Sequence, residues 1–219
     1  MDERLVIHEK ARDFFDDVWR DGDFWRLETS EFEREKYASQ MNLLGDRRYG
    51  RALEIGCGSG CFSRLLAGIA DEVVALDVSP LAVERARALS TGWETIDFRV
   101  ANIMEYDPAG EGPWDLIVMS ETIYYLGWLY SFFDVAWLAV KLYNATHEGG
   151  RLLMANTCGG VEDYLLYPPI IRTYHDLMLN VGYQLDEENV FHGSKDGHEQ
   201  ELTVLVSLYG KDPSFGRNG

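Results

Sequence analysis

The chain has 219 residues, room for one domain, and its 46% hydrophobic and 13% aromatic content supplies a full core and excludes a disordered or collagenous chain. Lys and Arg number 20 against 37 Asp and Glu, a net charge of −17. That charge repels phosphate backbones, so no nucleic acid partner is expected, and it favours cationic small molecules. Three cysteines, Cys57, Cys61 and Cys158, show no framework spacing and point to a reducing compartment. The opening segment is charged throughout and no apolar run is long enough to cross a bilayer. The expected location is the cytoplasm, with no membrane partner.

In chain order, residues 3–20 carry an imperfect helical stripe (Leu5, His8, Phe14, Phe15, Val18) that Asp21-Gly22-Asp23 breaks. Asp16, Asp17, Asp21 and Asp23 read as a solvated acidic face. Ser30 with Glu33 predicts a capping box opening a helix over 31–44. From Arg51 the pattern turns to alternating strands and helices: strand 52–55, helix 61–69, strand 72–77, helix 80–89 with Pro at its first position, strands 96–101 and 115–120. A helix over 128–146, stopped by Gly149-Gly150, precedes strand 151–156 and a helix over 169–181. Trp128, Trp137 and the Phe132-Phe133 pair read as packing on that long helix. Two final strand-like runs, near 183–192 and 201–209, lack a helix between them and must pair as an antiparallel hairpin at an edge. The pattern predicts an α/β, doubly wound, mostly parallel sheet with its ligand at the carboxyl ends of the strands.

The strongest local signal is Glu54-Ile55-Gly56-Cys57-Gly58-Ser59-Gly60, which follows a strand and opens a helix. Such a loop lets backbone amides approach a ligand closely. Its third glycine comes one residue earlier than in a dinucleotide fingerprint, which weighs against a nicotinamide-dependent oxidoreductase. Asp77 ends the second strand, where an acid accepts ribose hydroxyls. Asn102-Ile103 follows the third, where an amide and an N–H can read an adenine edge.

These segments together resemble the class I S-adenosylmethionine-dependent methyltransferases. ALEIGCGSG is similar to their first motif, VVALDVSP to the second, VANI to the third and WDLIVMSE to the fourth, over about residues 50–158. The third motif departs from the family by carrying Asn102 where Asp is usual. The resemblance implies a Rossmann-like seven-stranded sheet of order 3-2-1-4-5-7-6 with strand seven antiparallel. It implies one domain over 1–219, with an N-terminal helical lid over 1–45 and the core over 46–219. It also implies S-adenosyl-L-methionine as cofactor, held by Glu54, Gly56, Gly58, Ser59, Gly60, Asp77, Val78, Asn102, Ile103 and Ser120. DFWRLETSEFEREKYA (23–38) and SETIYYL (120–126) further resemble the NodS-type nodulation N-methyltransferases, which methylate an amine on an amino-sugar oligomer. By that resemblance Trp25 lies over the cofactor and the helix from Ser30 lids the pocket.

Methyl transfer from a sulfonium is an in-line displacement in which alignment supplies much of the acceleration. The expected acceptor is a small molecule, an amino sugar or another natural-product amine. Glu121 is the candidate to orient or deprotonate it, Tyr125 to shape the methyl path, and His175 a further base. Tyr124 reads as a packing aromatic, and Tyr125 can equally be one. The Tyr164–Pro169 loop is a candidate wall of the acceptor pocket. The five histidines show no paired ligand spacing, so no metal is expected. The competing readings are a small-molecule O-methyltransferase and a non-catalytic S-adenosylmethionine-binding protein. A nucleic-acid methyltransferase is disfavoured by charge and by Ser120-Glu121-Thr122-Ile123 after the fourth strand.

Overall fold

A computed structural model describes residues 3–211. Two helices, α1 (Glu3–Arg20) and α2 (Glu31–Leu44), precede an alternation of β1 (Tyr49–Ile55), α3 (Cys61–Leu66), β2 (Ala70–Asp77), α4 (Pro80–Leu89) and β3 (Ile96–Val100). There follow α5 (Pro108–Glu111), β4 (Trp114–Ser120), α6 (Ile123–Leu129), α7 (Phe132–Ala145), β5 (Thr146–Thr157), α8 (Pro168–Asn180), β6 (Gln184–Gly193) and β7 (Leu202–Gly210). A short 3-10 turn, Tyr164–Leu166, lies between β5 and α8.

The strands form one sheet of order β3-β2-β1-β4-β5-β7-β6. β1 to β5 run parallel, and β7 is antiparallel to both β5 and β6. This is the expected order, and its physical reason is plain. The central strands are apolar on both faces, and only helices on both sides can bury them. Ala52, Val73, Leu116 and Leu153 pack with Phe32, Phe62 and Val83 from α2, α3 and α4 on one face. Leu53, Val74, Ile117 and Leu152 pack with Ile123, Leu138 and Met178 from α6, α7 and α8 on the other.

Several expectations are corrected. Helix 128–146 is two helices, because the Ser131 hydroxyl caps α7 by accepting the Asp134 N–H, and Tyr130 turns extended. Gly149-Gly150 lie inside β5 and do not stop the helix, which ends at Ala145. The helix expected over 61–69 closes at Leu66, and α5, capped by the Asp107 side chain, was not expected. Ser30 forms no side-chain cap, since Glu33 is buried in ion pairs and does not reach back to form a box. Asp16 is half-buried and accepts the Ser79 hydroxyl, tying α1 to the start of α4. Trp128, Phe132, Phe133 and Trp137 do not pack inward; Phe133 is 75% exposed.

Candidate active site

The carboxyl ends of β1, β2 and β4 open into a cavity of about 460 Å³ roofed by α1, α2 and the loop between them. β1 and β2 deliver the glycine loop and Asp77 because their pairing aligns Ile55 with Leu76, so both strands end at one level. Gly56 has φ 80° and Gly58 φ 53°. A Cβ on Gly56 would lie 2.5 Å from the Thr122 Oγ1, and one on Gly58 3.1 Å from Leu27. The loop therefore admits no side chain between the strand ends and the roof.

Asp77 stands at the back of this loop and accepts the N–H of Gly58 and of Ser79, each at 2.9 Å. Burial holds its carboxyl above the usual aspartate range, partly offset by those two amides. Glu54 is also buried, accepts the Ser63 hydroxyl, and is pushed up to about 8 by burial, with the Asp77 charge adding to the rise. Val78, Ile103 and Ser120 line the cavity, and the Ser120 hydroxyl is a buried group without a hydrogen-bond partner among the described residues. Trp25 lines it from the roof, its ring 5.5 Å from that of Trp19.

Ser59 and Gly60 do not line the cavity. Ser59 is fully buried and donates its hydroxyl to Glu28 at 2.7 Å, while Gly60, at φ 78°, opens α3 against Phe98. Glu28 also takes two hydrogen bonds from Arg64, at 2.8 and 2.7 Å, so the roof loop grips the glycine loop from outside. Asn102 lines the cavity, but its amide is engaged within the protein. Its Oδ1 accepts the Met104 N–H at 3.0 Å, and its Nδ2 donates to the Tyr130 hydroxyl at 2.7 Å and lies 3.0 Å from His8 Nδ1. Reading an adenine edge with this amide would require those bonds to be given up.

Glu121 follows β4 at φ 55°, a left-handed conformation that costs a residue with a side chain about 1 kcal/mol or more. Four hydrogen bonds hold it there. Its Oε1 accepts Lys36 Nζ at 3.1 Å and the Thr157 hydroxyl at 2.9 Å; its Oε2 accepts the Thr157 N–H at 3.0 Å and the Tyr124 hydroxyl at 3.1 Å. Saturated in this way, Glu121 orients its neighbours, and neither of its oxygens can meet an acceptor without giving up a bond already made. Lys36 is 3% exposed and lies between Glu121 and Glu33. Burial pulls its ammonium down, but the two carboxylates outweigh that and hold it above the ordinary lysine range. Burial acts on Glu33 in the opposite sense, and Lys36 and Lys195 keep it below the usual glutamate range.

Tyr125 lines the cavity, its ring 5.0 Å from Phe15 and 4.5 Å from Tyr124. Burial, then the Glu121 charge, push its hydroxyl up to about 12, so it is a neutral phenol at physiological pH. His175 is not in the cavity. It lies fully buried under the sheet, 2.8 Å from the Ser207 hydroxyl and 3.0 Å from Asn156 Oδ1, and burial lowers it to about 3. A neutral imidazole sealed in this way has no path to an acceptor. The Tyr164–Pro169 segment walls the cavity through Leu165 and Leu166, while Tyr164 and Tyr167 face outward. Lys36, Thr157 and Glu28 were not singled out from sequence; a lysine and two glutamates within one helical turn of α2 look like a solvated face. Among the described residues no cluster of metal-ligating side chains occurs.

The strand order and the glycine-loop cavity define a Rossmann-like fold shared with solved methyltransferases. The N-methyltransferase NodS from Bradyrhizobium japonicum WM9, in complex with S-adenosyl-L-homocysteine, superposes with a TM-score of 0.71 at 22% identity, over 86% of this chain and 92% of that one. The family model of Nodulation protein S matches residues 9–132, and the chain belongs to that family. Nodulation protein S of Bradyrhizobium diazoefficiens is 37% identical over 48% of this chain and 49% of its own length. The Rhizobium tropici protein is 35% identical over 61% of this chain and 55% of its own. The chain thus spans about half the length of the curated relatives it matches.

Proposed function

We propose that this chain is an S-adenosylmethionine-dependent methyltransferase that methylates a small-molecule amine. The observation that carries the reading is the convergence, in one cavity, of the glycine loop, Asp77 and the unpartnered Ser120 hydroxyl beneath an aromatic roof. Side-chain-free Gly56 and Gly58, a carboxylate for a ribose, and a spare hydroxyl suit a nucleoside joined to an amino acid. Membership of the Nodulation protein S family supports the same assignment, as does the bound S-adenosyl-L-homocysteine of the Bradyrhizobium japonicum protein.

When bound, the cofactor supplies an activated methyl group on a sulfonium. Asp77, Val78, Asn102, Ile103 and Ser120 would hold it, with Gly56 and Gly58 against it and Trp25 above. Tyr125 and Phe15 shape the space beyond and exclude water, which keeps donor and acceptor aligned. The saturation of Glu121 favours an amine over a hydroxyl acceptor. A neutral amine attacks with its own lone pair, whereas a hydroxyl needs a firm base, and the carboxylate at the end of β4 is committed to four donors. Glu121 positions the acceptor wall, and the amino-sugar and natural-product amines are the classes to screen. A cytoplasmic location accompanies this reading, supported by the unpaired Cys57, Cys61 and Cys158.

Titration calorimetry with S-adenosyl-L-homocysteine, and NAD as control, tests the cofactor. Micromolar binding of the first and none of the second is expected. Labelled-methyl transfer to paired amines and alcohols then tests the acceptor. No binding of S-adenosyl-L-homocysteine overturns the assignment, and transfer to alcohols alone overturns the amine.

A further inference from the structure

The carboxylates lining the cavity are Glu33, Glu54, Asp77, Glu121 and Asp163. Glu33 pairs with Lys36 and Lys195, and Glu121 with Lys36 and Thr157. Asp77 is taken by two backbone amides, and Glu54 is buried against Ser63. Asp163 differs from all of them. Its Oδ1 accepts the Leu165 N–H at 2.9 Å, which starts the 3-10 turn, and it has no cationic partner among the described residues. It is exposed, and the turn it starts packs Leu165 and Leu166 into the same apolar cluster as Tyr125.

A carboxylate with an open valence beside aromatic ring faces is the arrangement that selects an ammonium group, by charge-assisted hydrogen bonding and by cation–π attraction. Tyr125 supplies one face, and the Trp25 indole also lines the cavity. We propose that Asp163, backed by Tyr125, is the specificity-determining residue that admits a cationic amine and discriminates against its neutral counterpart. This rests on the reading of the cavity as the acceptor site for an amine. Selection operates at the mouth, where the nitrogen still carries its proton and releases it to solvent before it attacks; the strongly acidic chain as a whole adds to the attraction.

The test compares phenethylamine with its neutral isostere 2-phenylethanol. Binding to the full chain is measured by saturation-transfer NMR and calorimetry, with and without S-adenosyl-L-homocysteine. Wild type is expected to prefer the amine by about tenfold, a preference that weakens as salt rises. Asp163→Asn keeps the oxygen that accepts the Leu165 N–H, so the turn survives, and the preference falls to about twofold or less. Asp163→Glu restores much of it. An Asp163→Asn protein that keeps the wild-type preference overturns the proposal, as does a wild type that binds both probes equally or neither. Failure to bind S-adenosyl-L-homocysteine strikes the methyltransferase reading instead, because the probe comparison without it still reports on Asp163.

Discussion

Lys36 Nζ on the roof helix lies 3.1 Å from Glu121 Oε1 at the end of β4, so a charge carried by the roof is neutralised by one carried by the floor. Neither side chain reaches this pairing cheaply. Lys36 is buried with Glu33 as its second partner, and Glu121 adopts a left-handed backbone to present its carboxylate.

Lys36→Met keeps the length and removes the charge, leaving the buried Glu33 with Lys195 alone and the half-buried Glu121 with no cationic partner. The expected loss is about 3–5 kcal/mol of unfolding free energy, measured by urea denaturation. Adding Glu121→Gln should recover part of it. Full additivity of the two losses would show that the groups do not act as a pair.

Glu121→Gln alone replaces one acceptor oxygen by an amide that cannot satisfy the same four donors. Turnover with an amine is expected to fall about tenfold or more, while affinity for S-adenosyl-L-homocysteine stays within about threefold. Steady-state kinetics and calorimetry separate the two; normal turnover would remove Glu121 from the acceptor wall.

Asp77→Ala removes the acceptor of two loop amides and the carboxylate facing the cavity. The expected cost to S-adenosyl-L-homocysteine binding is about 1–3 kcal/mol by calorimetry. Unchanged affinity would take Asp77 out of its ribose role.

Glu54 sets a pH dependence. Its carboxyl titrates near 8 in the folded chain against 4.5 for an ordinary glutamate, so the folded state holds a proton that the unfolded state has lost. Stability from this group is complete below the ordinary value and declines as pH rises through about 8. Glu54→Gln should flatten that decline and gain roughly 1–4 kcal/mol over wild type at high pH. Urea midpoints taken on either side of the interval check it, and parallel curves for the two proteins would refute it.

His175→Ala is expected to cost about 2–4 kcal/mol of stability, by opening a cavity and stranding the Asn156 side-chain oxygen, while Ser207 keeps its bond to Glu188, with no effect on S-adenosyl-L-homocysteine affinity where the variant is folded. Thermal unfolding alongside calorimetry measures both. Lost affinity in a folded variant would return His175 to the site.

Much of the fold was legible because its signals are local and repetitive. The apolar runs of β1, β2 and β4, and Ser79-Pro80 opening α4, need no partner to be read. Gly56, Gly58 and Asp77 were legible for the same reason, since each sits at a strand end fixed by those runs. Lys36 was not, because its meaning comes from Glu121, far along the chain and brought near only by the sheet. His175 was misjudged for the converse reason: its helix follows β5 in sequence, but its face turns into the core between β5 and β7. The break before α7 carries neither Gly nor Pro, only a serine whose capping role depends on Tyr130 being extended.

Glu28 grips Ser59 and Arg64, and Asp16 grips Ser79. The roof is thereby clasped to the two turns that follow β1 and β2, the same turns whose backbones face the cavity. Lifting the roof requires these clasps to part, so its hold over the cavity is set by two carboxylates that do not line it, and loosening either would free the roof without removing any contact inside.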